Sequence, residues 1–171
     1  AHEFPEQPLA LPFSLLAYSS EHDAPRLARL IERTYVGTLD CPQIDGLRSA
    51  ADVIAGYQGV GEFRPELWRI ALHADADGDR DVGCVLVNLH PDVSHAEIVY
   101  LGIVPEARGR GHGLDLTRHA QWLARQAGCD QTVLAVDAAN DPAIRTYIAA
   151  GFREFDRKTV WIRALTNSPT A

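Results

Sequence analysis

Arg108-Gly109-Arg110-Gly111-His112-Gly113 places three glycines at alternate positions around two arginines. Glycine lacks a Cβ, so its backbone N–H can approach a bound group closely. Apolar Ile98–Val104 precedes the run and a helical pattern follows it, so the glycines fall at a strand-to-helix junction. The first N–H groups of a helix have no intrahelical partner, and the helix dipole adds positive character there. Such a terminus attracts anions. Arg108 and Arg110 add charge-assisted donors. The chemistry this implies is the binding of a phosphate or pyrophosphate. A solvated basic loop is the alternative, and it leaves three alternate glycines without a purpose. The dinucleotide pattern is not met, because the position after the second gap is Leu114 and Pro105 interrupts the turn. The GxxxxGK[ST] loop is absent as well.

A second segment, Asn140-Asp-Pro-Ala-Ile-Arg-Thr-Tyr147-Ile-Ala-Ala-Gly151-Phe152, lies one helix and one strand further on. Read alone, Tyr147 is a packing residue beside Ile144 and Ile148. Together, the two segments resemble the GNAT superfamily of acyl-CoA-dependent N-acyltransferases. Leu101 to Leu114 is similar to that family's strand-plus-loop signature, whose Gln/Arg-x-x-Gly-x-Gly/Ala core falls on Arg108, Gly111 and Gly113. Asn140 to Phe152 is similar to its Asn…Tyr…Gly-Phe segment. The two motifs cover roughly Glu97 to Phe152, about a third of the chain.

The resemblance implies acetyl-CoA as co-substrate. It implies that the backbone of Arg108, Gly109, Arg110, Gly111, His112 and Gly113 holds the pyrophosphate. The pantetheine arm would pair with the strand edge Leu101–Val104, including Ile103 and Val104, and Asn140 would contact the arm. The family's strand carries a bulge, for which Gly102 is the candidate. The reaction is acylation of an amine, with Tyr147 as the acid that protonates the leaving thiolate and a backbone N–H near Ile103 for the oxyanion. A primary amine arrives protonated, so a base is needed, and Glu97 is the first choice. Acceptor contacts are expected from the first helices, at Tyr35, Thr38, Asp40 and Tyr57, with Asp40 suited to a cationic acceptor. Ordinary loop or core duty is the competing reading at each of these positions.

Elements must position these residues. Phe13–Tyr18 reads as a first strand. Pro25 opens a helix whose stripe is Leu27, Leu30, Ile31, Thr34 and Tyr35. Ser49 with Asp52 caps a second, short helix bearing Val53, Ile54 and Tyr57. Leu67–His73, Val82–Leu89 and Ala96–Val104 form a three-strand meander, the last strand apolar enough for burial on both faces. A long helix with Leu116, Ala120, Leu123, Ala124 and Ala127 stops at Gly128. Then come a strand at Gln131–Val136, a helix from Asn140 to Gly151 and a last strand at Arg157–Leu165. The expected fold is α/β, a mixed central sheet flanked by helices with the GNAT-like order. Residues 1–12 read as a flexible lead-in or tag remnant, 13–165 as one domain and 166–171 as a tail.

The 171 residues suit one domain. Lys and Arg number 16 against 23 Asp and Glu, a net charge of −7 that argues against a nucleic-acid or anionic-membrane partner. No apolar run approaches the ~20 residues of a membrane span, and the start lacks a signal peptide's apolar centre. Cys41, Cys84 and Cys129 stand far apart, without a CxxC pair, which suits a reducing, cytoplasmic setting. Cys84 reads as a core residue, Cys41 as a loop thiol without a catalytic partner, and Trp68 and Trp161 as core aromatics. Asp75-Ala-Asp77-Gly-Asp79-Arg-Asp81 fails the EF-hand register, and His90 with His95 lacks a third ligand, so no metal is expected. The reading is an N-acetyltransferase acting on a small-molecule or peptide amine, with a homodimer left open. The alternative is a non-catalytic acyl-CoA-binding sensor or regulatory module, and a weaker third option is a nucleotide-binding protein.

Overall fold

The computed structural model of the chain describes residues 10–44, 46–74 and 78–163. Five strands form one sheet in the order β1-β2-β3-β4-β5: Ser14–Ala17, Arg69–His73, Arg80–His90, His95–Ile103 and Gln131–Leu134. The first three pairings are antiparallel, and β4 with β5 is parallel. Four α-helices flank the sheet: α1 (Ala24–Tyr35), α2 (Ala50–Gln58), α3 (His112–Gln126) and α4 (Asp141–Ala149). The mixed sheet and element order agree with the expectation up to α4.

Local chemistry sets the helix ends. Pro25 sits in the first turn of α1, and Asp23 accepts a hydrogen bond from the Ser19 N–H (2.9 Å). Ser49 Oγ accepts from the Asp52 N–H (3.1 Å), so the cap of α2 is where the pair Ser49/Asp52 indicates. Gly128, at φ +84°, ends α3 while the Cys129 N–H returns to the Ala124 carbonyl (3.0 Å).

The core is built on β3. Every residue from Val82 to Leu89 is buried, so both faces of this strand are covered. The helices α1 and α3 both pack against it. Trp68 and Cys84 are fully buried, as their positions suggest. A polar knot sits among these apolar groups. The Trp68 indole donates to Asn88 Oδ1 (2.8 Å), and Asn88 Nδ2 donates to the carbonyls of Tyr57 and Val60 (both 2.7 Å). The end of α2 is thereby tied to the middle of the sheet.

Three expectations need correction. The two-face burial assigned to β4 belongs to β3; β4 alternates between buried and half-buried residues because one side of its second half opens onto a cleft. The bulge is not at Gly102. Leu86 pairs with Tyr100 and Val87 with Ile98, so Val99 is the extra residue. Gly102 serves a different end. A Cβ there would lie 2.8 Å from both Thr34 Oγ1 and the Tyr100 hydroxyl, so glycine lets α1 approach β4. The last strand is not formed among the described residues, either. Residues 153–163 are exposed and carry no strand, and Trp161 is 90% exposed rather than packed in the core. Alternating apolar residues favour a strand only when the segment docks on an edge, and this one pairs with no described edge. The remainder of that expected strand, to Leu165, lies outside the described residues. Among the described residues no helix is long and apolar enough to cross a membrane, and no group of three or more His, Cys, Asp or Glu is placed to hold a metal.

Replacing Asn88 by Ala should leave the Trp68 indole N–H and the Val60 carbonyl without this partner, while the Tyr57 carbonyl keeps the Val60 N–H, and cost about 2 kcal/mol or more, read as a lower urea midpoint with unchanged slope. A second expectation concerns acid. His119 is buried on α3, and burial first, then the charge of Arg69, lowers its pKa from 6.5 to about 4. The unfolded chain therefore binds a proton in this window that the folded chain refuses, so stability falls as pH drops from 6.5 towards 4. Urea midpoints across that range should decline less in His119→Phe than in the parent.

Candidate active site

A cleft of about 550 Å³ opens where β5 leaves β4. The two strands pair only from His95 to Ile98, against Gln131 to Leu134. Pairing stops at the Val99 bulge, while the other edge of β4 stays paired to β3 as far as Ile103. Leu101, Gly102 and Ile103 thus line the cleft with an edge that no described strand takes up.

The glycine loop continues that edge. After a turn at Pro105–Ala107, Gly109 (φ +72°) and Gly111 (φ +86°) adopt the left-handed conformation that disfavours other residues. Nothing lies within 4 Å of a Cβ built on either, so their backbone faces open space. No side chain caps Gly111 at the start of α3. Gly109, Gly111, His112 and Gly113 all line the cleft. A helix N-terminus with free N–H groups therefore sits at one end of the opened strand edge.

The two arginines serve differently from the expectation of two phosphate donors. Arg108 donates to the carbonyls of Ile103 (3.1 Å), Gly37 (3.2 Å) and Thr34 (2.8 Å), pinning the end of α1 to the end of β4. Its guanidinium is engaged by carbonyls at a helix C-terminus, where cations are favoured. Arg110 is exposed and is not among the cleft residues. The His112 ring is buried edge-on against Phe13 (5.1 Å), and burial lowers its pKa.

Across the cleft, α4 presents Tyr147. Its phenol is pushed up to about 12, first by burial and then by the negative charge of Asp40. The hydroxyl therefore stays protonated at neutral pH and is a donor. Asn140 lines the cleft, but its Oδ1 accepts from the Ala143 N–H (3.3 Å) and caps α4. Tyr35, Thr38, Asp40 and Tyr57 all line the wall formed by α1, α2 and the loop between them.

Two expected residues are not brought into the cleft. Glu97 lies where β4 and β5 are still paired and is hydrogen bonded to His90 Nε2 (2.9 Å). It is not a cleft residue, because the strands diverge only after Ile98. Val104 is fully buried and its N–H donates to the Val82 carbonyl (3.0 Å), so the available edge ends at Ile103.

Other cleft features escaped the sequence reading. Tyr100 stacks on Tyr57 (5.5 Å) and meets Tyr35 edge-on (6.1 Å). The Thr34 hydroxyl donates to the Ile31 carbonyl (2.7 Å), so at 2.6 Å it accepts from the Tyr100 phenol. Asp137, beside the cleft, ties its loop to that of the cleft residue Asp40: Asp40 Oδ1 accepts from the Asp137 N–H (3.0 Å), and Asp137 Oδ2 accepts from the Cys41 N–H (3.1 Å). Tyr100 carried a signal, an aromatic two residues before the strand glycine. For Asp137 the only local hint was its place just ahead of a helix start.

Comparison with known proteins agrees with this geometry. The Acetyltransferase (GNAT) family matches residues 60–152. Mycothiol acetyltransferase of Mycobacterium avium (strain 104) is 32% identical over 151 residues, which cover 75% of this chain and 48% of that protein. The protein of the same name from Rhodococcus jostii (strain RHA1) is 29% identical over 147 residues, covering 77% and 48%. The chain thus spans about half the length of these curated relatives. Among solved structures, a chain of the NatC complex bound to Gag peptide and CoA superimposes with a TM-score of 0.66 at 19% identity, covering 86% of this chain and 88% of that one. An acetyltransferase from Pyrococcus furiosus, described as putative, gives 0.60 at 19% identity, covering 90% and 99%. With the family pattern spanning more than half of its residues, the chain belongs to the GNAT acetyltransferase family.

Proposed function

We propose that the domain transfers an acetyl group from acetyl-CoA to an amine by direct attack in a ternary complex. The observation that carries this reading is the meeting, in one cleft, of an opened strand edge, an uncapped helix N-terminus and a protonated tyrosine. The solved neighbour bound to peptide and CoA and the relatives named as acetyltransferases support it.

Each part has a physical role. The N-terminus of α3 contributes about 0.3–2 kcal/mol towards a charged ligand. Micromolar affinity needs about 8 kcal/mol, so a phosphate site alone is too weak. The edge Leu101–Ile103 supplies the remainder by pairing with the amide-bearing arm of the coenzyme as an added strand. Gly109, Gly111 and Gly113 present backbone N–H groups to the pyrophosphate, and Asn140 flanks the arm from the start of α4.

In the reaction the amine first loses its ammonium proton to solvent water, its lone pair then attacks the thioester carbonyl, the C–N bond forms and the C–S bond breaks. The leaving sulfur takes the hydroxyl proton of Tyr147, and the phenol recovers a proton as the acylated nitrogen releases its own through water. A phenol held near 12 yields its proton late, as negative charge builds on sulfur. It also does not ionise across the range in which the amine becomes neutral. A backbone N–H near Ile103 serves the oxyanion.

Calorimetric titration with acetyl-CoA tests the ligand and its loop. The parent should bind, and Gly111→Glu should not, since a carboxylate on a backbone at φ +86° opposes both conformation and charge. A folded parent that fails to bind overturns the reading. Tyr147→Phe should retain acetyl-CoA binding and lose about 100-fold or more in turnover of an amine, followed by thiol release. Unchanged turnover would remove the acid role from Tyr147.

A further inference from the structure

A second cavity, of about 350 Å³, lies towards the far end of α3 from the cleft and shares no residue with it. Trp122, Leu123 and Gln126 line it from the last turns of α3. Arg64, Leu67 and Arg69 line it from the turn at Pro65–Leu67 and the start of β2. At a rise of about 1.5 Å per residue, α3 puts it about 15–20 Å from the glycine loop.

Positive charge is in excess here. Two arginines line the cavity and no carboxylate does, among the described residues. The adjacent Glu66 is taken by Arg64, whose Nε donates to Glu66 Oε1 (2.8 Å). Arg69 uses only Nη1, towards the carbonyls of Glu66 and Trp68. Its Nε and Nη2 have no hydrogen-bond partner among the described residues. Those two atoms form one edge of the guanidinium. Arg26 uses the same edge to grip the Asp81 carboxylate, through Nε (3.0 Å) and Nη2 (2.6 Å). Arg69 is half-buried, and burial opposes its charge more than the charge of Glu66 supports it. A guanidinium does not deprotonate, so the charge stays and lacks a counter-ion. The C-terminus of α3 opposes an anion with about half a unit charge, less than the full charge of Arg69.

The rest of the wall sets the shape of a ligand. Leu67 and Leu123 are buried, and the half-buried Trp122 ring tilts against His119 (5.4 Å). His119 Nε2 is buried with no hydrogen-bond partner among the described residues, and the charge of Arg69 reaches this ring. A two-pronged edge matches the two oxygens of one carboxylate. One unmatched charge calls for a monoanion. The apolar wall calls for a flat hydrocarbon body beside Trp122. The volume is near the lower end of the ~300–1,000 Å³ of ligand sites, so the ligand is small.

We infer that this cavity is a binding site for a small aromatic monocarboxylate, gripped by the free edge of Arg69 and flanked by Trp122, and separate from the acetyl-transfer cleft. The inference does not depend on what the cleft binds.

Phenylacetate and its uncharged counterpart 2-phenylethanol are the probes, titrated by calorimetry into the full chain. The parent should bind the acid at least tenfold more tightly than the alcohol. Arg69→Gln should abolish that preference and leave the alcohol's affinity unchanged. Arg69→Lys keeps the charge without the edge and should keep only part of the preference. Trp122→Leu should weaken both probes alike. Gly111→Glu alters the cleft and should change neither. Equal binding of the two probes by the parent, or no binding of either at millimolar concentration, overturns the proposal. So does a preference that survives Arg69→Gln or stays whole in Arg69→Lys. A preference lost in Gly111→Glu would place the carboxylate at the N-terminus of α3 and overturn it as well. Failure of the parent to bind acetyl-CoA would overturn the acetyltransferase reading and leave this site standing.

Discussion

The parting of β5 from β4 after Ile98 is the constraint on which the site depends. A parallel pair that continued to Ile103 would bury its own hydrogen-bonding edge and leave no room between the strands. The extra residue at Val99 ends that pairing while β3 still holds the other edge, so β4 remains rigid where it is exposed. The cleft is thus a defect in the sheet supported by its strongest element, β3, whose central residues are all buried. This differs from a site placed on loops alone, because the strand fixes the direction in which a ligand must lie.

Both walls are tied to that opening by groups that carry no chemistry themselves. Arg108 joins the end of α1 to the end of β4 through three carbonyls. Gly102 lets Thr34 and Tyr100 meet, which seats the aromatic wall. Asn88 joins the end of α2 to Trp68 beneath the sheet. Glycine serves two separate ends here. At 109 and 111 it permits a backbone conformation, and at 102 it permits close approach.

The parts of the molecule legible in the sequence were those decided locally. The stripe of α1, the Ser49 cap, the stop at Gly128 and the alternate glycines before α3 depend on residues a few positions apart, and each lies where the pattern put it. Tyr147 and Asn140 reach the cleft because a short helix carries both. The misplacements concern distant partners. Glu97 is on the right strand, but its role depended on where β5 departs, a register that neither strand's sequence states. Arg108 has the expected type in the expected loop, yet its guanidinium is claimed by carbonyls some 70 residues away. The segment from Arg157 has strand-like residues but pairs with neither outer strand of the sheet, and pairing is a tertiary contact that an alternating pattern does not itself supply. Asp137 was invisible because its importance comes from a loop 96 residues earlier.

The tie between the Asp40 and Asp137 loops has a consequence for a thiol. Cys41 lines the cleft, and a thiol there is nucleophilic only as the thiolate. Burial raises the pKa of that thiol, and the charges of Asp40 and Asp137 raise it further. The thiolate fraction at neutral pH is correspondingly small. The two carboxylates that join the loops therefore also favour the protonated, less nucleophilic form of the one exposed cysteine.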